Sequence, residues 1–492
     1  MGILKKLASQ TAVYGLSSIF GRFLNYLLVP LYTYYFSAAE YGVVSEFYAY
    51  AGFFSVVLLF GFETGYFRFR DKDHPLRDVT YSTALVFVLL LNTAFFASIT
   101  YFNQTLSAAL NYPHHPEYLL WFSGILTLDA IAAIPFARLR AENKAFRFAA
   151  IKIIEILMTV FLSLFFIVYC PKLYQQNPQS WIATLYQPSI GVGYIFIANL
   201  IASGVKFLLL LPQLRGLAWG FDAKLLRRML AYCAPMVVIG FAGIINEMLD
   251  RALLKHLLPY DSQTNMQQLG IYSACYKLSI LMSLFIQAFR FAAEPFFFAY
   301  ADKHDARPVY AKVLKFFVIF CVGIFLLVTL YLDFFQYFLG QEFRVGLQVV
   351  PILLLANLCL GMYVNLSIWY KLTDRTLLGA AVSLFGALLT TALNIWWIPL
   401  FGYLGSAWAT LACYATMVVL SYGLGQIYYP VNYDIKGIFA YISVGLGLYG
   451  LHGFAETIAW QPWLLASALL LVYLLVVLLF EGRGRLRALF KA

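Results

Sequence analysis

The sequence predicts an all-α polytopic membrane protein of about 14 transmembrane helices. Three observations carry that prediction. First, 62% of the 492 residues are hydrophobic and only 12% are charged, with a mean hydropathy of +0.77. Too few polar side chains remain to clothe a soluble protein of this length. Second, the apolar residues form continuous runs long enough for helical spans of about 20 residues. They lack the strict alternation of a β-barrel. Third, Lys and Arg fall almost entirely in alternate loops, as membrane insertion requires.

Taken in order, the spans are expected at 11–36, 43–68, 80–102, 118–140, 147–170, 191–213 and 229–257, then 268–298, 312–334, 345–370, 376–398, 403–427, 436–454 and 463–481. The first follows Lys5 and Lys6 and runs to Phe36, too long for a signal-peptide core, so it reads as a retained span. One set of loops holds Arg68, Arg70, Arg138, Arg140, Lys144, Arg227, Arg228, Lys312, Lys371, Arg375 and the basic tail. The opposite loops hold little more than Lys172, Arg344 and Lys255. Both termini are therefore expected on the cytoplasmic side, which needs an even helix count.

The chain also reads as a duplication. Arg22, Pro30 and Gly42 recur as Arg251, Pro259 and Gly270, and the turn Arg140-x-x-x-Lys144 recurs as Lys371-x-x-x-Arg375, all at separations of 228 to 231 positions. Two pseudo-symmetric six-helix lobes of one orientation are expected. The lobes are residues 1–213 and 229–428, joined by a linker at 214–228 that reads partly as an interfacial helix. Residues 429–492 add a helix pair and a basic tail outside the duplication. The register breaks after Pro171, where Lys172 to Pro188 reads as a longer outer loop.

Several function classes are excluded or disfavoured. The net charge of +11 belongs to span ends rather than to a nucleic-acid surface. The six cysteines lie singly in or beside spans, so neither a metal nor a disulfide is expected. His114 and His115 read as a solvated loop pair. No Gly-rich phosphate loop ends in Gly-Lys-Ser/Thr, no cofactor is expected, and the outer loops are too short for a catalytic domain. The chain does not read as an enzyme. Tyr34, Tyr35, Trp121, Trp396, Trp397, Tyr428 and Tyr429 read as interfacial anchors, one or two with room for a sugar-stacking role.

Charges inside spans carry the functional signal, because each costs a few kcal/mol against lipid. Arg22 shares a face with Ser18, Asn25 and Tyr26 and suits a phosphate in a cavity. Arg251, Lys277 and Arg290 are further candidates for substrate binding. Lys277 and Arg290 are read on the same helix, the eighth, roughly 20 Å apart along it. Arg251 has Glu247 as a helical partner, and Arg290 has Glu294. Glu46, Glu63, Asp129, Glu155, Glu247 and Asp250 are the intramembrane acids; with Glu294 they are candidates for coupling or ion pairing, Asp129 first because it sits mid-span.

The stretch Asn394 to Thr410 reads as an apolar helix ending at Ile398-Pro399, a short turn at Gly402 and a new helix opening at Gly405. It resembles a pattern in the polysaccharide transporter branch (Wzx-type O-antigen flippases) of the multidrug/oligosaccharidyl-lipid/polysaccharide (MOP) superfamily. Pro30 to Gly42, Leu249 to Lys255 and Ala288 to Phe298 also look like this branch. The resemblance implies a MATE-like, V-shaped pair of lobes with alternating access. It further implies export of an undecaprenyl-diphosphate-linked oligosaccharide across the bacterial inner membrane, with Arg22 and Arg290 matching cavity arginines thought to hold the diphosphate. A polysaccharide polymerase is an implied partner; a monomer is expected, since the cavity would lie within one chain. The family's lipid II flippase carries an Arg-Asp pair near the end of helix 1 that is missing here, which speaks against a peptidoglycan precursor. An ion-coupled drug antiporter of the same fold would want an acidic or aromatic cavity. A membrane polymerase, a ligase or a scaffold are the remaining alternatives.

Overall fold

The computed structural model describes Gly21, Phe23, Leu24 and residues 26–70, 77–179, 181–214, 220–301, 306–455 and 461–489. All regular structure among them is helical. Among the described residues, thirteen helices are long and apolar enough to cross a membrane. The expected first span lies mostly outside the described residues, and its described end is α1, Leu28–Tyr35. The count thus sits close to the 14 expected, and the chain is a multi-pass membrane protein. Contacts divide it into two compact units: Met1–Lys255 with Ser262–Gly270, and His256–Asp261 with Ile271–Ala492.

In the first unit α2 runs Ala38–Leu59. Its start is fixed by a capping box, in which Ser37 and Glu40 each accept the other's backbone N–H. Phe60 and Gly61, both at positive φ (49° and 71°), then kink the chain into α3, Phe62–Phe69. There follow α4 (Arg77–Tyr101), α5 (Asn103–Ala109), α6 (Glu117–Ala141) and α7 (Ala145–Leu164). Beyond α7 a π-helical turn, Phe165–Tyr169, leads into α8, Cys170–Gln176. The fifth span was expected to end near 170. Instead the wider turn just ahead of Pro171 accommodates a residue that has no N–H and crowds the preceding carbonyls, and the helix continues. After α9 (Gly193–Leu210) comes α10 (Ala223–Leu257), which starts six residues earlier than the sequence suggested.

The second unit takes up the chain within α11, Ser262–Leu278, and continues with α12, Ile280–Tyr300. One span was expected here; two helices are found, broken at Ser279. Only i,i+3 backbone bonds flank the break, Ser279 to Tyr276 at 3.0 Å and Met282 to Ser279 at 3.1 Å. The Asn357 side chain donates to the Ser279 hydroxyl at 3.1 Å and accepts from Ser283 at 3.4 Å, so the polar groups at the break have partners. The unit then runs α13 (Ala306–Leu330), α14 (Val349–Leu366), α15 (Ile368–Leu372), α16 (Thr376–Phe401) and α17 (Tyr403–Tyr428). The last two helices are α18 (Ile435–Ala455) and α19 (Pro462–Leu489). Lys315 on α13 ties both to the unit, through Asp434 at 3.0 Å and Glu481 at 2.5 Å.

The α16–α17 hairpin corrects one expectation. Pro399 does not end α16; the helix runs two residues further and stops at Gly402, whose φ of 61° only glycine adopts freely. The new helix opens at once, at Tyr403. Asn394 accepts the Ser406 hydroxyl at 2.8 Å across the hairpin, and a Cβ on Gly405 would overlap the Trp397 carbonyl.

The internal geometry of the two units repeats. Asn143 and Asp374, 231 positions apart, hold φ of 57° and 56° in matching turns. Arg140 bonds Glu63 in one unit and Lys371 bonds Glu294 in the other, each across 77 positions. Tyr66 meets Tyr81 edge-on at 5.8 Å, and Phe297 meets Tyr310 edge-on at 5.0 Å. Arg138 donates to the Gln213 carbonyl where Trp369 donates to that of Ser421.

Candidate functional site

Two clusters of charge lie within the membrane-spanning helices of the first unit. In one, the Lys206 amine on α9 sits between Asp129 of α6 at 2.6 Å and Glu155 of α7 at 2.5 Å. The Lys206 side chain is only 3% exposed, whereas that of Asp129 is 45% exposed on its far side. Ser203, one helical turn before Lys206, donates to the same Asp129 oxygen at 2.6 Å. Lys152 takes the other Glu155 oxygen at 3.1 Å. Three helices thus converge on one ammonium, which two carboxylates stabilise against its loss of water. Asp129 and Glu155 were expected as coupling or pairing groups, and the structure brings them together. Lys206 was not singled out, because a lysine near a span end usually extends to the headgroups.

In the other cluster Lys255 of α10, 3% exposed, lies 2.8 and 3.0 Å from the two oxygens of fully buried Glu46. Its third proton reaches the Leu110 carbonyl at 2.7 Å. Tyr50 and Tyr112 both donate to the same carboxylate. Every strong donor and acceptor of this buried pair is used.

Arg22 and Asn25 lie outside the described residues. Glu63, half-buried, pairs with Arg140. Arg251 departs from its expected partner. It reaches the backbone carbonyl of Glu247 at 2.7 Å, while its carboxylate contact is Asp250 at 3.3 Å. The reason is burial: Asp250 is inside and the Glu247 side chain is exposed. His115, expected to be merely solvated, pairs with Glu117 at 2.9 Å and stacks on Tyr118.

In the second unit Glu294 belongs first to Lys371, and Arg290 stands 3.9 Å from it. The Arg290 side chain is 61% exposed. Arg290, Glu294 and Lys371 line one cavity of about 180 Å³ with Phe289, Tyr363 and Asn365. Lys277 is half-buried in the last turn of α11, ahead of the break at Ser279, so no single helix carries it and Arg290. A larger cavity, about 1090 Å³, lies elsewhere: Arg307, Lys312, Lys315, Asp434 and Glu481 line it at the basic end of α13. Among the described residues no group of three or more His, Cys, Asp or Glu is placed to hold a metal ion.

A sequence profile described as polysaccharide biosynthesis protein matches residues 35–345, more than half of the chain. The chain belongs to that family. A search of curated protein sequences finds no match. Among solved structures, the lipid II flippase MurJ in an inward closed conformation superposes with a TM-score of 0.72 at 16% identity, covering 94% of this chain and 98% of that one. An inward-facing multidrug resistance MATE family transporter of the MOP superfamily gives 0.63 at 12%, over 85% and 94%. The MATE multidrug transporter DinF-BH gives 0.59 at 16%, over 89% and 97%. At these identities the likeness is one of fold: this family member is built as these transporters are.

Proposed function

We propose that this protein is a flippase. It carries an undecaprenyl-diphosphate-linked oligosaccharide repeat unit from the cytoplasmic to the periplasmic leaflet of the bacterial inner membrane, by alternating access, for surface polysaccharide synthesis. The observation that carries this reading is the pairing of a polysaccharide-biosynthesis family with a transporter fold. The geometry of Arg290 supports it. Because Lys371 holds Glu294, the guanidinium keeps donors open for a bidentate contact with phosphate. Arg22, Asn25, Arg251 and Lys277 are the further substrate-binding residues of the proposal. Both termini face the cytoplasm in this reading, the unit of function is a monomer, and a polysaccharide polymerase takes the product. Asp129 and Glu155, bridged by Lys206, are the coupling candidates; a proton arriving at Asp129 would release the ammonium to Glu155 and shift the packing of α6, α7 and α9.

The MurJ likeness favours one second reading, a peptidoglycan lipid precursor as cargo. Complementation separates the two. Arg22→Ala, Arg22→Lys and Arg290→Ala are expressed in cells lacking the gene, and surface polysaccharide and inner-leaflet lipid-linked repeat units are quantified. Lost export with repeat units accumulating inside, at normal protein levels, supports the proposal. Normal export in both alanine variants overturns the cationic-site mechanism. Accumulation of the peptidoglycan precursor instead selects the second reading.

A further inference from the structure

We infer that the outer end of the first unit holds a second binding site, for the phosphate-bearing head of a glycolipid after it has crossed. This rests on the flippase reading for its cargo. Two cavities meet there and share Val168 and Lys172. The first, about 370 Å³, is lined by Tyr35, Phe36, Phe166, Lys172, Gln175 and Tyr186 among others. The second, about 580 Å³, is walled by Phe161, Leu164, Phe165, Val168 and Tyr169, and again by Lys172. Apart from Lys172 its lining is entirely aliphatic and aromatic.

The two differ in chemistry as the two ends of a glycolipid do. The aromatic cavity is built, not accidental. Phe166 stacks on Tyr194 at 5.0 Å, Tyr194 on Tyr186 at 5.0 Å, and Tyr174 meets Tyr186 edge-on at 5.8 Å. The Tyr194 hydroxyl accepts the Gln187 backbone N–H at 2.6 Å and so fixes the loop that carries Tyr186. Tyr35 keeps 48% of its surface open at the mouth. Ring faces take the C–H faces of a sugar, while phenol, amide and ammonium groups bond its hydroxyls. The volume suits one or two sugar rings. The apolar cavity suits an isoprenoid chain.

Lys172 lies between them and is exposed. Among the described residues it forms no ion pair, whereas Lys255 at the same end of the unit is consumed by Glu46. A phosphate at Lys172 would have its sugar in the ring-lined cavity and its chain in the apolar one. The π-helical turn Phe165–Tyr169 turns rings into both cavities, a use of π-helices recurrent at binding sites. The site has no counterpart in the second repeat, where α16 and α17 are joined by Gly402 alone.

The test uses the full chain in detergent, carrying Arg290→Ala to silence the site proposed above. Three probes are titrated: farnesyl diphosphate bearing N-acetylglucosamine, farnesyl diphosphate alone, and phosphatidylglycerol. Lys172→Ala is expected to weaken both diphosphates at least tenfold. Tyr186→Leu is expected to weaken only the sugar-bearing one, and Tyr186→Phe to restore most of it. Unchanged binding in Lys172→Ala overturns the inference, as does equal binding of phosphatidylglycerol, which would mark an ordinary anionic-lipid site. Failure of the flippase reading appears separately, as normal export in cells lacking the gene.

Discussion

Gly42 and Gly270, equivalent positions of the two repeats, meet each other backbone to backbone within the first unit. A Cβ on Gly270 would lie 3.0 Å from the Gly42 nitrogen and overlap the Ala38 carbonyl. A Cβ on Gly42 would overlap the carbonyl of Met266. No side chain can yield, because both obstacles are backbone. Gly42→Ala and Gly270→Ala are each expected to cost about 1–3 kcal/mol through forced separation of α2 and α11. The thermal midpoint of the purified protein checks this; an unchanged midpoint would mean that the crossing is not tight.

Lys206 is predicted to be a sensitive charge in the first unit. Lys206→Met removes the ammonium that bridges Asp129 and Glu155, leaving Glu155 with Lys152 and Asp129 with Ser203, and is expected to cost about 1–3 kcal/mol. Folded yield in the membrane should fall sharply. The triple variant Lys206→Met, Asp129→Asn, Glu155→Gln should recover yield without recovering export. If the single variant accumulates normally, the network does not hold the three helices together.

Glu63–Arg140 and Glu294–Lys371 should tolerate exchange of sign. All four side chains are about one-third exposed, so each pair is expected to contribute no more than about 1 kcal/mol. Glu63→Arg with Arg140→Glu should export better than either single change. Equal export in the double and the single variants would show that the pairing itself is unimportant.

Acid should loosen the protein at two places outside the spans. Hydrogen bonding and charge from Lys315, with the Gly437 amide, hold the Asp434 carboxyl below its usual range. Burial acts against the charged form of Glu142, but Lys144 and Arg138 outweigh it and lower that carboxyl too. A depressed folded-state pKa stabilises above the unfolded value, about 3.9 for Asp and 4.3 for Glu, and is lost as pH falls through the folded one. The thermal midpoint should therefore be flat near neutrality and fall in acid. Asp434→Asn and Glu142→Gln should each flatten that fall, and variants that titrate like the wild type would refute the assignment.

The architecture was legible because the membrane writes it into composition: apolar run length and the sorting of Lys and Arg need no partner information. The duplication was legible from Arg140, Lys144, Lys371 and Arg375, and the matching turns at Asn143 and Asp374 follow from it. What could not be read depends on residues distant in sequence. Lys206 is defined by acids 51 and 77 positions away. The break at Ser279 is held by Asn357, 78 positions away, while the residues on either side of it are ordinary helix formers. Pro399 misled because it sits in the final turn, where Gly402 rather than the proline sets the end. Arg251 was matched to Glu247 by spacing alone, and burial selected Asp250 instead.

The Glu46–Lys255 pair has a consequence for how the protein is made. The two residues are 209 positions apart. At a synthesis rate of about 5–20 residues per second, the carboxylate precedes its ammonium by roughly 10–40 s. Tyr50 and Tyr112 arrive much sooner and supply two of its hydrogen bonds in the interval. The first unit cannot close around Glu46 until α10 has been synthesised, so an insertion intermediate paused before α10 should expose this acid to water.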